Sequence, residues 1–238
     1  MCTCLPAALD RRRLLSLGAG ALAATTLAGT AARAAGAYEG SPRSPDHSLE
    51  GLIQGNGKFV SEPQLCEIDL PSQRAHVAEG QTPWASILSC ADSRVPPEIV
   101  FGGRQLGEIF VARNAGNLAD TATIGTLEYG AGVLGSPLIV VLGHARCGAV
   151  KAACEVVESN ATFPGAIGPM IYPIIPAVLA VRDQPGDLVA NATRENARRT
   201  VRGLIKASAM LSDLVDEGKL KAVAAFYHLD TGKVEYLD

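Results

Sequence analysis

Short apolar runs recur along this chain at strand length: residues 84–89, ending at Cys90, then 108–112, then 138–142. The last holds no polar residue, as a strand buried on both faces of a parallel sheet requires. Between the runs the apolar period lengthens to that of helices. Ser44-Pro45-Asp46 reads as a helix start, a capping Ser followed by Pro at the first helical position, with Leu49, Leu52 and Ile53 at helical spacing behind it. Asp120 can cap a helix carrying Ile124, Leu127 and Leu134 that Gly135 stops. Gly143-His144 is expected to open the next helix. Residues 160–185, with Pro164, Pro169, Pro173 and Pro176, are expected to form loop with short helical pieces. Residues 191–217 carry Val201, Leu204, Ile205, Ser208, Leu211 and Val215 on one face and predict one long helix ended by Gly218. A hairpin is predicted over 220–237, turning at 229–232. Strands alternating with helices predict a single α/β domain, with a mostly parallel central sheet and flanking helices.

The segment ahead of the first helix has a different character. Arg11-Arg12-Arg13 precede Leu14-Leu15, residues 14–29 are mostly Ala, Leu, Gly and Thr, and Ala32-Arg33-Ala34 has a small-x-small pattern. Basic start, modest apolar stretch and cleavage pattern together predict an export signal over 1–34, a linker over 35–43 and the folded domain over 44–238. The paired arginines resemble a twin-arginine signal, so a periplasmic or otherwise exported location is expected. Cleavage after Ala34 removes four arginines and one aspartate, taking the net charge from −3 to −6. Neither value supplies the basic footprint of a nucleic-acid partner, and no stable membrane insertion is expected after processing. With 47% hydrophobic and 19% charged residues and a mean hydropathy of +0.17, the chain can bury a sizeable core, which excludes wholesale disorder.

Cys66, Cys90, Cys147 and Cys154 remain after cleavage. Cys90 stands where one predicted strand ends; His144 and Cys147 stand just past the end of another. Sites in open α/β sheets form beyond the carboxyl ends of strands. A His-x-x-Cys pair on a first helical turn would put both side chains on one face. Two thiolates and one imidazole suit zinc, and three protein ligands leave a fourth position open, as catalytic zinc sites do. The spacing alone is equally compatible with two buried cysteines and a structural histidine. Asp92 and Arg94 follow the first thiol. They can hydrogen-bond water or hydroxide at an open metal position, or form an ordinary surface ion pair.

Three ordered motifs, Cys90-Ala-Asp92-Ser-Arg94-Val95-Pro96, Arg113-Asn114-Ala115-Gly116-Asn117 and Gly143-His144-x-x-Cys147-Gly148, resemble the β-class carbonic anhydrases. The resemblance implies one Zn2+ per chain on Cys90, His144 and Cys147, an Asp92–Arg94 dyad governing the fourth metal position, and CO2 and hydrogen carbonate (bicarbonate) as substrate and product. It places Gln81 and Tyr129 near the substrate pocket, Phe110 in its apolar wall and the Gly148 amide next to the metal. It also implies an antiparallel edge strand on the sheet and a homodimer or larger assembly. CS2 or COS hydrolysis on the same scaffold, or zinc binding without catalysis, are the alternative functions. The chain departs from many relatives at Gly102-Gly103-Arg104, where an acidic residue is common. Ile87 stands where relatives regulated by bicarbonate carry Trp, so that form of regulation is not expected. Cys66 and Cys154 are expected to be free thiols, and His47, His76 and His228 are not expected to be ligands.

Overall fold

The computed structural model of the chain describes residues 43–62 and 70–237. The expected export segment, the linker through Pro42 and Cys66 lie outside them. Helix α1 (Pro45–Ser61) starts as its sequence dictates: the Ser44 hydroxyl accepts from the His47 amide, and Pro45 occupies the first turn. Helix α2 (Leu70–Val77) has no counterpart among the predicted elements, because its sequence shows no helical apolar period. Strand β1 (Ala85–Cys90) follows, then the single-turn α3 (Pro97–Val100) and β2 (Ile109–Asn114). The Asp120 carboxylate accepts from the Thr123 amide and opens α4 (Thr121–Glu128), which runs into a π turn over Tyr129–Val133.

Strand β3 (Leu138–His144) is buried at every position. Leu138, Val140 and Leu142 enter one apolar cluster and Ile139 and Val141 another, so both sheet faces are covered. After it come α5 (Gly148–Ser159), α6 (Ile167–Ile171), a 3-10 turn over Tyr172–Ile174 and α7 (Ile175–Val181). The proline-rich stretch is thus helical over most of its second half. Helices α8 (Leu188–Ala207) and α9 (Ala209–Asp216), β4 (Lys221–Tyr227) and β5 (Val234–Leu237) complete the fold.

Two predicted elements are corrected. The helix expected over 191–217 is two helices. Ser208, extended at φ −121° and ψ 110°, ends α8 and caps α9 by accepting from the Leu211 amide, while its hydroxyl donates to Glu128 Oε1 at 2.6 Å. The apolar stripe hides the break, since Leu204 and Leu211 stay in phase across it and both are fully buried. His144 does not open a helix either. It is the last residue of β3, and Arg146, at φ +54°, turns the chain before α5 begins at Gly148.

The sheet order is β2-β1-β3-β4-β5. The first four strands are parallel, and β5 pairs antiparallel with β4 at the edge. The chain passes from β1 to β2 on one side of it and then crosses back to β3 on the other, so the strand order reverses at β1. The crevice at the carboxyl ends of β1 and β3 is therefore the switch point at which such sheets bind ligands.

Candidate metal centre

Cys90 at the end of β1, His144 at the end of β3 and Cys147 at the cap of α5 meet at that crevice. Their donor atoms lie within 4.8 Å of one another and all three residues are buried. Cys90 Sγ is 4.0 Å from Cys147 Sγ, twice a disulfide bond. Two thiolates on a tetrahedral zinc stand about 3.8 Å apart, from Zn–S bonds of about 2.3 Å. His144 Nδ1 lies 2.9 Å from the Ala145 carbonyl oxygen, which fixes the proton on Nδ1 and leaves Nε2 as the acceptor. That Nε2 is buried with no hydrogen-bond partner among the described residues. A buried lone pair facing two thiols is a strong departure from the rule that buried polar atoms are paired, and a metal ion satisfies it. The residues therefore fit a zinc ion in both donor chemistry and spacing.

The surrounding backbone prepares the thiols for that role. Cys90 Sγ accepts from the Gly116 amide at 3.4 Å. The Cys147 thiol beside it, and to a smaller extent His144 and backbone amides, lower the Cys90 pKa against the opposing effect of burial. Cys147 is raised by the neighbouring Cys90 and by burial, an effect that the Val150 and Ala149 amides of the α5 amino terminus partly offset.

Asp92 sits at the rim, its Oδ2 3.8 Å from His144 Nε2. Arg94 grips both carboxylate oxygens, with Nε 2.9 Å from Oδ1 and Nη2 2.7 Å from Oδ2, while its own amide also donates to Oδ1. This grip holds the Asp92 carboxyl far below the usual carboxylate range. The pair is formed, as the sequence motif implied.

Of the other predicted site residues, Phe110, Tyr129 and Gln81 are not gathered here. Phe110 pairs with Ser86 in the β1–β2 register, four residues below Cys90 and so about 13 Å along the strand. Tyr129 packs by Phe110, with ring centroids 6.2 Å apart, and is half exposed. Gln81 precedes β1 and lines a separate cavity with His76 and Trp84. Gly148 is the first residue of α5, directly after Cys147. Cys154 is buried and free, its thiol pushed up to about 11 by burial and by nearby Glu158, Asp187 and Glu155.

Two supporting residues gain their roles only from the fold, although Arg113 belongs to a motif quoted from the sequence. Arg113 donates to the Cys90 carbonyl at 3.0 Å and to the Asp92 carbonyl at 2.7 Å, fixing the backbone between thiol and carboxylate. Asn196, buried on α8, donates to the Gly116 carbonyl at 2.9 Å and holds the loop whose amide meets Cys90. The available signal for Asn196 was a polar residue within the buried stripe of α8, between Ala192, Thr193, Ala197 and Thr200.

The family model described as carbonic anhydrase matches residues 85–234. Carbonic anhydrase 2 of Mycobacterium tuberculosis is 36% identical over 194 residues, covering 82% of this chain and 93% of its own length. The carbonic anhydrase of Mycolicibacterium smegmatis is 34% identical over 191 residues, covering 80% and 92% respectively. Among solved structures, a Coccomyxa β-carbonic anhydrase in complex with acetazolamide superposes with a TM-score of 0.62 at 27% identity, covering 79% of this chain and 86% of that one. From three directions, then, β1 to β5 and the motifs they carry identify the chain as a member of the carbonic anhydrase family, of the β class.

Proposed function

We propose that the chain catalyses the zinc-dependent, reversible hydration of CO2 to bicarbonate and a proton. The observation that carries this reading is the unpartnered His144 Nε2 facing two thiols, with the clamped Asp92 carboxylate at the rim. Cys90, His144 and Cys147 would hold the zinc ion, which would supply the Lewis acidity that lowers the pKa of a bound water toward neutrality. Asp92, kept ionised by Arg94, only accepts hydrogen bonds, so it orients the O–H of the nucleophile and leaves a lone pair free to meet the CO2 carbon. Arg94 fixes both Asp92 oxygens in place, with Oδ2 3.8 Å from His144 Nε2. Arg113 sets the distance between Cys90 and Asp92 by fixing the backbone of 90–92.

The pocket walls imply an assembly. Gln81, Phe110 and Tyr129 belong near the substrate by resemblance, yet one protomer places Phe110 about 13 Å from Cys90 along the strand. A second copy supplying them resolves the conflict, and the half-exposed Tyr129, Val133 and Met210 offer it apolar surface. We read the chain as a homodimer or larger homo-oligomer, exported by the segment 1–34. Replacing Arg11 and Arg12 with Lys then retains the precursor inside the cell; undiminished enzyme outside it rejects the address. Among the described residues no helix is long and apolar enough to cross a membrane.

The function is tested by metal stoichiometry together with stopped-flow CO2 hydration, with CS2 assayed in parallel. One zinc per chain and rapid CO2 turnover are expected. Cys147→Ser should lose metal and activity, whereas Asp92→Asn should keep metal and lose turnover by about two orders of magnitude or more. Full zinc and full turnover in Cys147→Ser would overturn the ligand set. Turnover of CS2 alone would favour the alternative substrate.

A further inference from the structure

A second concentration of charge stands at the other end of β1, roughly 20 Å from Cys90 by strand length. Arg43, His47 and Lys58, on and just before α1, and Arg104, from the loop after α3, line one cavity of about 220 Å³. Gln54 completes its polar wall; its amide nitrogen donates to Glu50 at 3.2 Å. No carboxylate lines the cavity among the described residues.

The room for it comes from two glycines. A Cβ at Gly55 would overlap the Phe101 carbonyl oxygen and approach Arg104 Nη2 to 3.5 Å, and a Cβ at Gly51 would stand 3.0 Å from Arg43 Nη1. Trp84, the only tryptophan of the chain, lies against this basic cluster. The Arg43 guanidinium is 4.4 Å from the centroid of its ring and that of Arg104 is 5.7 Å away. Arg104 Nε is buried and meets no acceptor among the described residues, and one of its terminal nitrogens reaches the Gly102 carbonyl only at 3.5 Å. A buried cationic donor without an acceptor, beside other cations and open volume, is the complement of an anion.

We propose that this cavity binds a small oxyanion (phosphate, sulfate or hydrogen carbonate), held by Arg104 and Lys58 beside Trp84. The planar guanidinium presents neighbouring N–H groups to two oxygens of one ion, and Lys58 adds a mobile point charge from α1.

Trp84 reports on occupancy. The metal-loaded protein is titrated separately with phosphate, sulfate and hydrogen carbonate at constant ionic strength set by chloride, and Trp84 emission and binding heat are followed. At least one oxyanion should give a saturable change, and Arg104→Gln and Lys58→Gln should each weaken it by roughly tenfold or more. Unchanged far-UV circular dichroism shows that the variants fold. Hydrogen carbonate binding tightest would identify the enzyme's own product as the ligand. No saturable signal with any of the three, or isotherms unchanged in both variants as anion binding at the Cys90 centre would give, overturns the proposal.

Discussion

At the scale of single residues, the centre depends on groups that never touch the metal position. Gly116 is the sharpest case. Its φ is +81°, its amide donates to Cys90 Sγ, and a Cβ there would stand 2.8 Å from Ile174 Cδ1. Gly116→Ala is therefore strained in backbone and in packing. It should lower metal affinity by roughly tenfold or more, read by competition with a chromogenic chelator. Affinity equal to wild type would show that the Gly116 amide is dispensable. The three residues of the candidate metal centre were legible in the sequence, because Cys and His at strand ends are few and their chemistry is restrictive. Arg113 was legible only as part of a motif, and Asn196 not at all: both act through backbone carbonyls, and the fold alone decides which carbonyls they meet.

Among the elements, strands were the most legible and helix boundaries the least. An uninterrupted apolar run such as that of β3 has few alternatives, whereas the α8–α9 break sits inside a continuous apolar face. Ser208 makes that break stable by capping α9 and bonding Glu128. Ser208→Ala removes the cap and leaves the Glu128 carboxylate without that donor. It should cost about 1–2 kcal/mol, measured as a lower urea midpoint. The start of α4 adds a pH dependence. The Thr123 amide, and then its hydroxyl, hold the Asp120 carboxyl below its ordinary value, so the stabilisation is present above the unfolded pKa of about 3.9 and is lost as pH falls through the folded value. Asp120→Ala should accordingly be less stable than wild type by about 1 kcal/mol at pH 7, with the gap narrowing below about pH 4. A gap that stays constant down to pH 3 would mean the carboxylate charge plays no part.

For the molecule as a whole, the mostly parallel sheet followed from the alternation of strands and helices, and its antiparallel edge from the family resemblance. The separation of Phe110 and Tyr129 from the centre did not, because motif order along the chain carries no distance. The position of the centre has a consequence for the unfolded protein. Cys90 and Cys147 are 57 residues apart, and β2, α4 and the body of β3 lie between them. An ion held by both is a cross-link. It ties off a loop in the denatured ensemble, as a disulfide of the same span would, which is worth about 4 kcal/mol in chain entropy. For a domain of this size, stripping the metal with a strong chelator should lower Tm by roughly 10 °C, and restoring zinc should reverse it. In Cys147→Ser, melting curves with and without zinc should nearly superimpose, since one end of the loop is then untied.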